Sequence, residues 1–275
     1  MNWFEKTVEL LSMEMPSRQA PFGWFHLITL AVTVILTIIL CAKFKNCDEK
    51  TFRTTLFIIW ISLILFEIYK QIVSPFSSSV GIATWKYNLN DIPYQFCSSI
   101  HYVLPVIIFF QSGKVRDAFI AFAVTFMFLA GLVVMIYPDQ LKDDRAIGIC
   151  IQTMWHHGAQ VVAGAFIAIR ERKKLSHKLL FNGAVVYAGF LGLALILNIA
   201  LNPSVIGGET INFFYISPYH GCPLPILGDI RKFLDPLGFF GWLIFFIIYL
   251  VVFCGASYLI GYLFVLAKKK FKKLA

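Results

Sequence analysis

Seven apolar runs recur along this chain, at roughly 22–42, 54–74, 92–111, 117–137, 147–169, 179–201 and 238–267, and they constrain its fold more than any other feature. A helix rises about 1.5 Å per residue, so each run is long enough to cross a hydrocarbon layer roughly 30 Å thick. Lipid offers no water to pair with exposed N–H and C=O groups, which leaves the helix as the form such a segment takes. The expectation is an all-α fold, a polytopic membrane bundle of seven transmembrane helices covering 22–267. Composition leaves little room for a soluble alternative, with 59% of residues hydrophobic and 14% charged, where soluble domains are about half apolar and a quarter charged. The linkers 43–53, 112–116 and 170–178 are short and polar, as befits antiparallel neighbours in one bundle.

A net charge of +9 raises the question of nucleic acid, and the positions of the basic residues answer it. They gather at the ends of the apolar runs: sixteen Lys and Arg fall in 43–53, 112–116, 170–178 and 268–275, seven in the opposite segments, and Lys70 lies inside a run. Positive charge marks the cytoplasmic side. The chain thus reads as a multi-pass protein of the cell membrane, its N-terminus outside and its basic tail 268–275 in the cytoplasm, with no nucleic-acid partner. The segment 1–21 carries Glu5, Glu9 and Glu14 rather than a basic leader region, so no cleavable signal peptide is expected. There Trp3, Phe4, Val8 and Leu11 share a helical face opposite Glu5, Lys6 and Glu9, which predicts an extracytoplasmic helix in the membrane interface. The long outer connection 202–237, rich in Pro, Gly and aromatics, reads equally as a lid or as an interfacial loop. Six cysteines without a CxxC pair signal neither a disulfide framework nor a zinc site.

Ionisable and reactive groups within apolar runs are costly, and so are the place to seek function. They include Glu67, Lys70, Cys97, His101, His156 and His157. In the topology above, Cys97 lies roughly 8 Å below the outer surface, and His156 and His157 roughly 15 Å. Glu67 and Lys70 fall in the outer part of the second span, so a polar cavity open to the outer face is expected. Each residue also has a plainer reading. Glu67 and Lys70, three apart, can neutralise each other. His26, beside Trp24, reads as an interfacial residue. Pro93 and Pro105 bracket the Cys97 turn and either kink it, with the freed carbonyls satisfied by neighbours, or open room for a substrate. His156 and His157 point about 100° apart, so one at most should face a given site.

A buried thiol is inert unless a base takes its proton. An imidazole can do so as the sulfur attacks an ester, leaving a thioester open to a second nucleophile. Cys97 can meet His101 one turn along its own helix or a histidine of the fifth span. The run IPYQFCSSI (92–100), with FGWFHLITL (22–30), IYPD (136–139), MWHHG (154–158), INFFYI (211–216) and FLDPLGFFGW (233–242), resembles the YwaF-like bacterial integral membrane proteins. The stretch PYHGCPLPILGD is longer than the usual connection of that family, and FFGW stands where a proline-rich run is usual. The family is related to animal seven-span proteins, one of them an acyltransferase that uses a cysteine and a histidine. The resemblance implies Cys97 as nucleophile, His157 as its partner with His156 the alternate, and an orienting role for Asn212 and Asp235. His101, Glu67 and Lys70 are further candidates for contacts to substrate. The function so implied is lipid acyl transfer through a thioester, with membrane lipids as donor and acceptor and no metal or soluble cofactor. The rivals are a non-enzymatic carrier or binding protein for a small polar or lipidic ligand, and a structural bundle partner.

Overall fold

Length and apolarity produce the long helices, and short polar caps punctuate them. The structure is a computed structural model that describes residues 2–79, 82–138, 141, 146–202, 204–207 and 211–273; the side chains of 77–79, 82–85 and 268–273 fall outside that description. Asp139 of the IYPD run and the side chains of the terminal lysines therefore lie outside the described residues. Helix α1 (Trp3–Leu11) opens with a capping box in which Asn2 and Glu5 exchange hydrogen bonds. Its end is held by the Tyr69 hydroxyl, which donates to the Leu11 carbonyl at 2.6 Å. Then come α2 (Trp24–Phe44) and α3 (Glu49–Val73), the latter capped by Asp48, whose side chain accepts from Thr51 N. Hydrogen bonding by the Thr51 side chain, and then by its backbone N–H, holds the Asp48 carboxyl below its usual value.

Among the described residues five helical segments are long and apolar enough to cross a membrane: Trp24–Phe44, Glu49–Val73, Lys114–Ile136, His177–Ala200 and Leu227–Ala267. The third joins α5 (Lys114–Phe122) to α6 (Phe128–Ile136) through one π-helical turn, Ala123–Met127. The fourth is α8 (His177–Ala200), and the fifth runs from α9 (Leu227–Leu234) into α10 (Gly238–Lys273). Two of the seven expected spans depart from that pattern. The run 92–111 does not form one helix: a 3₁₀ turn, Phe96–Ser99, leads into α4, Ile100–Phe109. Ten residues of α-helix reach only about 15 Å, because Pro93 and the extended backbone at Gln95 delay its start. Helix α7 (Ile147–Arg170) is full length but more polar, carrying Gln152, Thr153, His156, His157 and Gln160, and most of it is buried. It is the interior helix of the bundle, packed against α2, α3 and α6.

The all-helical class holds, with one small addition. Segment 75–91 contains a small antiparallel hairpin, β1 (Phe76–Ser79) against β2 (Ile82–Trp85), with Phe76 opposite Trp85. Ile82, Thr84 and Trp85 are residues that favour strands. The long connection is neither open loop nor simple lid. Its 3₁₀ turn Phe213–Tyr215 is driven into the bundle, with Phe213 and Phe214 each 1% exposed. Asn198 holds it there, donating to Phe213 O at 2.9 Å and accepting from Phe213 N at 2.8 Å. Phe214 and Tyr215 take left-handed backbone angles, φ 57° and 58°, a conformation that costs roughly 1–3 kcal/mol at each non-glycine residue.

Linkers 43–53, 112–116 and 170–178 meet at one end of the bundle. Glu49 there accepts from Arg53 at 2.7 Å, Arg116 at 2.6 Å and Arg170 at 3.3 Å. The other end is closed by Ile147 N donating to Met13 O, by Gln71 donating to Asp91 O, and by Asn212 N donating to the Asn90 side chain.

Candidate functional site

The turn that carries Cys97 is fixed from three directions. Gln95 donates to Asn212 O at 3.1 Å and accepts from Phe214 N at 2.9 Å, tying the turn to the inserted loop. The Cys97 carbonyl accepts from Gln160 Nε2 at 2.9 Å and from His156 Nε2 at 3.1 Å, both on α7. A carbonyl only accepts, so His156 carries its proton on Nε2 and its Nδ1 is left without a partner. Behind the turn, Pro105 deprives the His101 carbonyl of its helical partner, and the Trp60 indole N–H supplies one at 3.1 Å.

Beside this turn lies a cavity of about 160 Å³ lined by Glu67, Lys70, Cys97, Ser98, Gln152, Thr153, His156 and His157. Helices α3 and α7 and the Cys97 turn supply all eight. Both adjacent histidines line it, their rings 5.2 Å apart, where their sequence spacing predicts that one at most faces a given site. Glu67 forms its ion pair with Lys70 at 3.0 Å. Its Oε1 also accepts from Gln71 at 2.7 Å, and its Oε2 lies 3.7 Å from His101 Nε2. The His101 ring sits 5.2 Å from that of His156. A second recess, about 520 Å³ and walled by Tyr94, Tyr102, Phe119, Phe190 and aliphatic residues, shares no lining residue with the first.

Six of the sequence candidates thus fall in one neighbourhood: Cys97, His156, His157, Glu67 and Lys70 on the cavity wall, and His101 directly behind it. The described hydrogen bond from these histidines to Cys97, made by His156, goes to its carbonyl and not its sulfur. Neither Asn212 nor Asp235 lines the cavity, although the Asn212 carbonyl accepts from Gln95 beside the Cys97 turn. Asn212 knits the inserted loop, donating to Gly221 O and accepting from Ser217 N. Asp235 is half exposed and paired with Arg231 at 3.0 Å. His26 also differs from its expected interfacial place. It is fully buried, accepting from Phe22 N at 2.8 Å and donating to Met135 O at 2.9 Å, so that it ties the start of α2 to the end of α6. Gln160 and Gln95 were missed, although Gln160 lies four residues beyond His156 on the same helical face.

A sequence model of the TMEM164 family, a family of transmembrane proteins, matches residues 21–262. Among curated proteins and among solved structures, none matches. The match does not carry the bacterial YwaF-like name that the motifs suggested, and it names no reaction.

Proposed function

The chain belongs to the TMEM164 family, and from that premise we propose that it is a thiol-dependent lipid acyltransferase of the cell membrane. The observation that carries this reading is the common cavity of Cys97 and His157. The Cys97 sulfur attacks the ester carbonyl of a phospholipid while His157 takes the thiol proton. The tetrahedral adduct collapses, the ester C–O bond breaks, and His157 returns the proton to the departing lysolipid oxygen, leaving the acyl chain on sulfur. A second lysolipid hydroxyl then gives its proton to His157 and attacks the thioester, and the released thiolate is reprotonated. His157 takes the acid–base role because His156 Nε2 already serves the Cys97 carbonyl. Lys70 and Glu67 set the charge at the cavity wall.

The proposal includes a topology of seven crossings with the N-terminus outside. Helices α4 and α7, too short or too polar to span by themselves, cross within a shell of apolar neighbours. The shared Glu49 cluster supports it, since linkers 43–53, 112–116 and 170–178 must lie on one side.

Protein in nanodiscs containing acyl-labelled phospholipid should acquire label that hydroxylamine releases. Cys97→Ala should lose the label, and His157→Ala should slow its formation by roughly 10²–10⁴-fold, the usual worth of a general base. Acyl transfer surviving in Cys97→Ala would rule the mechanism out. A second reading, binding of a small polar ligand without chemistry, is favoured by the modest size of the cavity, about 160 Å³. It predicts ligand-dependent stabilisation that persists in Cys97→Ala without any acyl exchange.

A further inference from the structure

Three side chains at the back of the cavity have the arrangement of metal ligands. One ligand-type atom from each of Glu67, His101 and His156 lies within 4.8 Å of the other two, and all three residues are buried. The gap of 3.7 Å between Glu67 Oε2 and His101 Nε2 is too long for a hydrogen bond. It is close to the roughly 3.4 Å that separates two ligand atoms held about 2.1 Å from a tetrahedral ion. Neither ring nitrogen of His101 has a hydrogen-bond partner, and neither has Nδ1 of His156. Buried polar atoms seldom go unpaired, and an ion would pair all three residues at once.

The surroundings are those of a supported site. A histidine that binds a metal through one nitrogen commonly donates its other N–H to a carbonyl, which fixes the tautomer. His156 does this with Nε2 on the Cys97 carbonyl, leaving Nδ1 free to bind. Ligating carboxylates are likewise hydrogen-bonded on their second oxygen. Glu67 Oε1 takes Gln71 and Lys70, leaving Oε2 toward the imidazoles. Lys70 pairs with the oxygen away from His101 and is a fifth exposed, so its charge is held on the solvent side of the carboxylate.

We propose that Glu67, His101 and His156 bind one divalent transition-metal ion, with two imidazoles and one carboxylate as protein ligands and the remaining positions open toward the cavity. Such a set suits zinc or iron(II). Sequence spacing pointed to no metal because the ligands come from three different helices, 34 and 55 residues apart, and compose no short motif. Neither Cys97 nor His157 is a ligand, so ion binding can be tested apart from the thioester chemistry although both share the cavity.

Untagged protein, stripped with a chelator and titrated with cobalt(II) in detergent, should bind about one ion per chain. The ion should show the visible absorption of four- or five-coordinate cobalt, and zinc should displace it. X-ray absorption should show imidazole scattering and no sulfur. Elemental analysis of the protein as isolated would separate zinc from iron. Glu67→Gln and His101→Gln should each weaken binding by at least about 100-fold, since losing even an outer-shell partner costs 10–100-fold. Cys97→Ser should bind as the parent does. Thermal unfolding and gel filtration would show that each variant is folded. Three results would overturn the site: no saturable cobalt binding by the parent protein, a sulfur ligand in its absorption spectrum, or undiminished binding in a folded Glu67→Gln/His101→Gln double variant.

Discussion

Pro105 and Trp60 show how a single residue on one helix underwrites the site on another. The proline lacks an amide hydrogen, so the His101 carbonyl one turn earlier depends on the Trp60 indole. Replacing Trp60 with Phe keeps an aromatic ring but strands that carbonyl, which should cost about 1–3 kcal/mol of stability. In a Pro105→Ala background the new amide can serve the carbonyl, so the same substitution should cost less; denaturation of the four proteins of this cycle in detergent measures the difference. An equal cost in both backgrounds would show that the indole acts by packing alone. Much of the site was legible at this scale, because Glu67, Lys70, Cys97, His101, His156 and His157 are conspicuous inside apolar runs. Their partners were not. A glutamine such as Gln95 or Gln160 is uncharged and has no fixed partner in sequence; only the approach of α7 to the Cys97 turn gives Gln160 its acceptor. His26 misled for a related reason, since its acceptor, Met135 O, lies 109 residues away.

At the scale of elements, the contact between α6 and α7 sets where the histidines stand. A Cβ built on Gly131 would lie 2.6 Å from the His157 carbonyl oxygen, and one on Gly158 would lie 2.6 Å from Thr33 Oγ1. Helix α6 thus approaches α7 almost backbone to backbone, and the Thr33 side chain of α2 rests on the α7 backbone at Gly158, in the manner of small residues at membrane helix contacts. Gly131→Ala should force α6 outward and lower stability by about 1–3 kcal/mol, the usual penalty of overpacking. Gly189→Ala, with nothing within 4 Å of the added atom, should be neutral or stabilising by up to about 1 kcal/mol. Melting temperatures of the two variants check the contrast, and equal melting would mean that α6 can shift freely. Element type was largely readable from apolar length, which located α2, α3, α8 and α10 to within a few residues at most ends. It failed where length and tertiary context part company. The run 92–111 is mostly apolar, yet its first residues serve as a turn because the inserted loop claims Gln95. Helix α7 survives as an interior element because its polar face finds partners in the bundle, which no apolar count can register.

For the whole molecule, charge asymmetry and packing constrain the same question from different sides. The Glu49 cluster gathers Arg53, Arg116 and Arg170 from three helices, and the Arg116 and Arg170 guanidinium groups also lie 5.8 Å and 5.3 Å from the Phe52 ring centre. Three linkers tied to a common carboxylate meet at one end of the bundle, as the proposed alternating traverse requires. On the proposed topology, the excess of positive charge on those linkers puts that end in the cytoplasm. Single cysteines test the assignment. Lys50 is exposed beside the cluster, and Tyr219, 51% exposed, lies in the connection at the opposite end. Against the labelling of the unsubstituted protein, an impermeant maleimide should modify Tyr219→Cys in intact cells and Lys50→Cys only after permeabilisation. The reverse pattern would turn the molecule over and place the Cys97 cavity on the cytoplasmic side. Labelling of both positions from outside would break the alternation itself, and with it the sevenfold crossing.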